Sequence, residues 1–152
     1  MSEPAIRVLF VCTGNSARSI LAEALLRHIG GPAFEARSAG THPSAVHPLA
    51  ERVLATAGIP TDGLRSKSLA EVAGESFDYV ITLCDDARAV CPVFPGADQS
   101  LHWGYKDPAS VDGPDGERLA AFQVVLTLLA ERIRQFVLIA GRTRTAGVSL
   151  RR

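Results

Sequence analysis

The feature that most constrains the fold is residues 6–29. An apolar run, IRVLFVC (6–12), passes through a few small polar residues into ARSILAEALLRHI (17–29). The first run is dense in β-branched and apolar residues with no polar alternation, as expected of a strand buried on both faces. In the second, Ile20, Leu21, Ala24, Leu25 and Ile29 recur near one helical face, and Gly30 and Gly31 follow as a stop signal. A buried strand feeding directly into an amphipathic helix is the opening of a βαβ unit.

The remaining segments repeat the alternation. FEARSAG (34–40) reads as a short strand and HPLAERVLATA (47–57) as a helix ended by Gly58. FDYVITLC (77–84) reads as a third buried strand, and LHW (101–103) as a fourth, short one. GYKDPASVDGPDG (104–116) is a loop, punctuated by prolines and glycines. A long helix is expected over 117–140, with Leu119, Phe122, Val125, Leu126, Leu129, Ile133 and Phe136 as its apolar stripe. The expected fold is an α/β domain over residues 1–140, a parallel sheet with right-handed crossovers and flanking helices. Residues 141–152, small, polar and basic, are expected to form a frayed tail.

Composition narrows the function classes. The chain has 152 residues, enough for one domain with a substantial core. Its 16 basic and 16 acidic residues balance, which favours neither nucleic acid nor a membrane surface as the main partner. No apolar run approaches the roughly 20 residues that span a bilayer. The N-terminal stretch runs into a polar loop without signal-peptide organisation, so a cytoplasmic location is expected. Three cysteines, Cys12, Cys84 and Cys91, do not form a structural disulfide framework in a reducing compartment. Their spacing lacks the short pairs of a zinc site, and no metal is expected. His28, His42, His47 and His102 are scattered, and capping, packing or solvated roles are expected for them.

Ligands of parallel α/β sheets sit at the carboxyl ends of strands, where Cys12 ends the first one. The amides of Thr13, Gly14, Asn15, Ser16, Ala17 and Arg18 lead into a helix N-terminus, which can direct several N–H groups at one tetrahedral oxyanion. Gly14 permits a tight backbone. Arg18 can grip two oxygens side by side. The same positive field stabilises a thiolate on Cys12. Ser19 and Asn15 can donate further hydrogen bonds to the loop or to sulfur. The spacing thus places a nucleophile inside an oxyanion cradle.

CTGNSARS with LAEALL behind it resembles the loop of low-molecular-weight protein tyrosine phosphatases and of the related thioredoxin-coupled arsenate reductases. SAG (38–40), LCDDARAVCPVFPG (83–96) and HWGYKDPA (102–109) extend the resemblance over most of the chain before the final helix. It implies a four-stranded parallel sheet in a three-layer sandwich, with Cys12 attacking a tetrahedral oxyanion. It also implies that Asp107, in the DPA match, is the general acid that protonates the departing oxygen. To act so, the carboxyl must hold its proton, through burial or a nearby anion.

The two branches differ in what they require. A phosphatase needs one thiol and an acid, whereas a reductase must supply two electrons and needs further thiols. Cys84 and Cys91 point to the reductase. So do Ala109 and Ala17, which stand where the phosphatase branch usually carries a tyrosine and a second cysteine. The resemblance therefore implies reduction of arsenate to arsenite by a relay from Cys12 to Cys84 to Cys91, with no bound cofactor. Thioredoxin fits as the final reductant, a low-molecular-weight thiol with glutaredoxin being the alternative, and a monomer is expected. Phosphate or sulfate should also fit the loop.

The alternatives are a phosphatase acting on phosphoesters and a non-catalytic arsenite-binding thiol module. Were CDDARAVC (84–91) helical when reduced, its end Cα atoms would lie roughly 10 Å apart. A disulfide needs about 4.4–6.8 Å, so oxidation would require this segment to unwind. Some members of the resembled family bind potassium beside the loop. Asn15, Glu23 and Ser38 match part of that site, while RSKSL (65–69) lacks the expected acidic ligand.

Overall fold

A computed structural model describes residues 4–84, 87–88 and 99–145. Four strands form one parallel sheet: β1 (Ile6–Cys12), β2 (Phe34–Gly40), β3 (Tyr79–Thr82) and β4 (Gln99–His102), in the spatial order β2-β1-β3-β4. The helices are α1 (Arg18–Gly30), α2 (Pro48–Thr56), the single turn α3 (Leu69–Val72) and α4 (Asp115–Thr145), with short 3-10 turns at Gly31–Ala33 and Pro108–Ser110.

The apolar runs explain the sheet. Val8 to Val11 of β1 are fully buried, as are Ile81 and the adjacent Leu83. Only a strand covered on both faces can use consecutive apolar residues in this way. Helix α1 packs on β1, β2 and α4, and α2 packs on α1 and α4. Of the stripe expected on the long helix, Phe122, Val125, Leu126, Leu129, Ile133 and Phe136 are buried, and Leu119 is partly buried. Phe136 meets the rings of Phe34, Tyr79 and Trp103 at centroid distances of 4.9–6.0 Å, joining the helix to three segments of the sheet layer.

Three boundaries differ from expectation. The single turn α3 has no periodicity to announce it. β3 covers only Tyr79–Thr82 of the apolar run 77–84, although Leu83 N–H still donates to Val11 O at 2.8 Å. α4 continues to Thr145, so the first five residues of the supposed tail are helical. Gly141 alone weakens a helix by only about 1 kcal/mol, which does not stop one 31 residues long.

β1 connects to β2 on one side, while the chain later returns to place β3 on the other. That reversal creates a crevice at the carboxyl ends of β1 and β3, where doubly wound sheets bind ligands. Cys12 is the last residue of β1, and Cys84 lies two residues past β3.

Candidate active site

The loop between β1 and α1 is held from outside. The carbonyls of Cys12, Thr13, Gly14 and Ser16 accept from the amides of Thr41, His42, Ser44 and His47, at 2.8–3.2 Å. Ser66 Oγ also donates to Gly14 O at 3.1 Å. With its carbonyls turned outward, the loop turns its N–H groups the other way. None of the amides from Thr13 to Arg18 donates to a protein acceptor among the described residues. They are the donors an oxyanion would take up.

Two residues permit this path. A Cβ on Gly40 would lie 2.6 Å from Thr13 O, so only glycine lets β2 pass so close beneath the loop. Asn15 carries the left-handed turn, at φ 46°. Sequence reasoning gave that freedom to Gly14, whose φ is not positive; asparagine tolerates the region because its short side chain bonds locally. Asn15 Nδ2 donates to Ser19 Oγ at 2.8 Å and to Ser38 Oγ at 2.9 Å, while its Oδ1 accepts from Lys67 N–H at 2.8 Å.

These bonds have a direction that ends on the nucleophile. Ser38 Oγ donates to the buried Glu23 carboxylate, so Ser38 can accept from Asn15. Ser19 Oγ also accepts from Asn15, which leaves its own proton for Cys12 Sγ, 2.9 Å away. A hydroxyl oriented as a donor favours the thiolate. Glu23, which sequence reasoning noted only as a partial potassium ligand, is fully buried and paired with Arg27 and Lys67. Burial pushes the Lys67 ammonium down from its ordinary value, and Glu23 opposes that shift.

Arg18, the first residue of α1, donates from Nη1 to Tyr105 O at 3.0 Å, and its Nη2 lies 3.7 Å from Asp107 Oδ2. Its buried Nε has no hydrogen-bond partner among the described residues, a donor left for a ligand. Asp107 caps the Pro108–Ser110 turn through Oδ1, which accepts from Ala109 N–H at 2.9 Å. Its side chain is 41% exposed and faces the Arg18 guanidinium, so of the expected burial or nearby anion, burial is absent.

Cys84 is buried beside the loop. Its Sγ lies 3.3 Å from Thr13 Oγ1 and accepts from Ala87 N–H at 3.4 Å. Cys84 O accepts from Arg88 N–H at 3.1 Å. Cys12 and Cys84 are free thiols. Cys91, and with it most of the expected CDDARAVC helix, lies outside the described residues.

The histidines keep the roles expected of them. His28 and His42 are exposed, and His102 Nδ1 pairs with Thr82 Oγ1 at 2.8 Å. His47 caps α2, its Nδ1 accepting from Leu49 N–H at 3.1 Å, and its ring packs at a tilt against Phe122. Burial, followed by the Arg118 charge, lowers its pKa from the ordinary 6.5, against a smaller opposing pull from Asp107. No group of three metal-ligating side chains occurs among the described residues. No helix there is long and apolar enough to cross a membrane.

Comparison with known proteins places the sequence and fold among characterised relatives. Residues 7–145 match the family described as low molecular weight phosphotyrosine protein phosphatase. An arsenate reductase of Halalkalibacterium halodurans is 35% identical over 129 residues, covering 85% of this chain and 93% of that protein. A thioredoxin-dependent arsenate reductase of Corynebacterium glutamicum superposes with a TM-score of 0.71 at 32% identity, covering 92% of this chain and 65% of that one. An arsenate reductase of Archaeoglobus fulgidus gives a TM-score of 0.69 at 30% identity, covering 86% and 98%.

Two outcomes are expected. Ser19→Ala removes the donor to Cys12 and lowers the thiolate fraction at neutral pH, read by ultraviolet thiolate absorbance; an unchanged fraction would show that the bond does not matter. For His47, a folded pKa below 6.5 means that the unfolded chain takes up the proton first as pH falls. Its contribution is complete above that value and lost as pH drops through it. The urea midpoint should therefore fall on acidification from neutral pH, and His47→Gln should flatten that part of the profile.

Proposed function

The chain belongs to the low-molecular-weight phosphotyrosine protein phosphatase family, and we propose that this member reduces arsenate to arsenite, with thioredoxin restoring the oxidised enzyme. The observation that carries the reading is the second thiol. Cys84 Sγ touches Thr13, the residue that follows the nucleophile. Phosphoester hydrolysis has no use for a thiol there, whereas a two-electron reduction requires one.

Arsenate enters the cradle, held by the amides from Thr13 to Arg18, the Arg18 guanidinium and Ser19 at its base. The Cys12 thiolate attacks arsenic, and Asp107 protonates the departing oxygen, which leaves as water. The Cys84 thiolate then attacks Cys12 Sγ. The sulfur–arsenic bond breaks with its electron pair going to arsenic, which leaves as arsenite, and a Cys12–Cys84 disulfide remains. Cys91 attacks Cys84, releasing the Cys12 thiolate and forming Cys84–Cys91. A thioredoxin dithiol reduces that bond by exchange.

The cycle draws on one chain and no bound cofactor, and it suits a reducing compartment such as the cytoplasm. The cradle reads shape and charge, which phosphate shares with arsenate. Weak phosphoester hydrolysis is therefore compatible with the same loop.

Cys91→Ser tests the order of thiols. It should release one arsenite per protein, accumulate the Cys12–Cys84 bond and then stop. Sustained turnover of this variant with thioredoxin would contradict the relay.

A further inference from the structure

Behind the oxyanion loop, Glu23 is a fully buried carboxylate on α1, and its charge must be balanced. The potassium site that the family resemblance brings to this place does not fit the residues present. The segment 65–69 offers no carboxylate. Asn15 Oδ1, which could ligate a cation, is taken by Lys67 N–H at 2.8 Å. Arg65 O, another candidate oxygen, accepts from Lys67 Nζ at 3.1 Å. The same ammonium lies 3.9 Å from Glu23 Oε1, and Arg27 pairs with the other carboxylate oxygen. Another positive ion would meet two fixed cations and oxygens already engaged.

We infer that the Lys67 ammonium is the resident cation of this site, a positioning residue that holds the oxyanion loop in its binding shape without a metal ion. Lys67 acts at both ends of one short segment. Its backbone amide fixes the orientation of the Asn15 side chain. Its carbonyl accepts from Gly40 N–H at 2.8 Å, which ties it to the strand passing beneath the loop. Its side chain is 8% exposed, and its ammonium joins Arg27 in balancing the Glu23 carboxylate, which accepts from Ser38. Asn15 Nδ2, held in place by the Lys67 amide, donates to both Ser38 and Ser19, which leaves the Ser19 proton for Cys12. Without the Lys67 charge, the buried Glu23 carboxylate is undercompensated, and the Ser38 contact that anchors Asn15 behind the loop loses its support. That weakens the oxyanion cradle and the Ser19 donor to Cys12.

The inference uses the loop and its thiol, not the identity of the substrate, so a test without arsenate separates it from the reductase reading. Sulfate binding to the whole reduced protein is measured by calorimetry in potassium chloride and in tetramethylammonium chloride at equal ionic strength. Wild-type protein should bind sulfate equally in both. Lys67→Met keeps the apolar stem and removes the charge. It should bind sulfate on the order of tenfold more weakly, as loss of an outer-shell partner does, and show a smaller Cys12 thiolate fraction at the same pH. Tighter binding by wild type in potassium alone would overturn the inference, and so would a folded K67M with wild-type affinity and thiolate fraction. If K67M does not fold, the cation comparison on wild type still decides.

Discussion

The carbonyls of Cys12, Thr13, Gly14 and Ser16 are tied to the segment that follows β2. Everything the site can do depends on that attachment. A peptide whose carbonyl is held outward presents its N–H inward, and successive peptides held so make a cavity of donors that needs no rearrangement when an anion arrives. The attachment requires close approach of the backbones, which Gly40 permits and any side chain there would block. The parallel pairing of β1 with β2 brings Gly40 opposite Cys12, so sheet register and active-site shape are one constraint.

A second layer sets the electrostatics. The loop concentrates positive partial charge, α1 begins at Arg18, and the guanidinium reaches across to the loop that carries Asp107. This field suits both a thiolate and an oxyanion, which repel each other, so the donors must be numerous and fixed. The chain from Glu23 through Ser38, Asn15 and Ser19 fixes them from behind. Cys84, two residues past β3, puts a second thiol beside the loop, its Sγ 3.3 Å from Thr13 Oγ1.

Much of this was legible in the residues. Consecutive apolar residues in 6–12 and 77–84 specified buried parallel strands, and the strand–loop–helix junction located Cys12 and Arg18. The expected stripe became the packed face of α4 from Phe122 to Phe136, with Leu119 only partly buried. What stayed hidden depends on contacts distant in sequence. Glu23 sits in the middle of a helical pattern that makes a glutamate look solvated; only Ser38, Lys67 and Arg27 converging on it explain its burial. Lys67 resembled an ordinary basic loop residue for the same reason. The exposure of Asp107 and the left-handed turn at Asn15 likewise follow from how separate segments meet, which no local pattern encodes.

The most direct test of the central claim is a single-turnover reaction. Fully reduced protein is mixed with stoichiometric arsenate and no external reductant; arsenite is counted and disulfides are mapped by mass spectrometry. The account predicts one arsenite per protein and a Cys84–Cys91 bond, with Cys12 returned to the free thiol. Unreduced arsenate alongside three free thiols would contradict it.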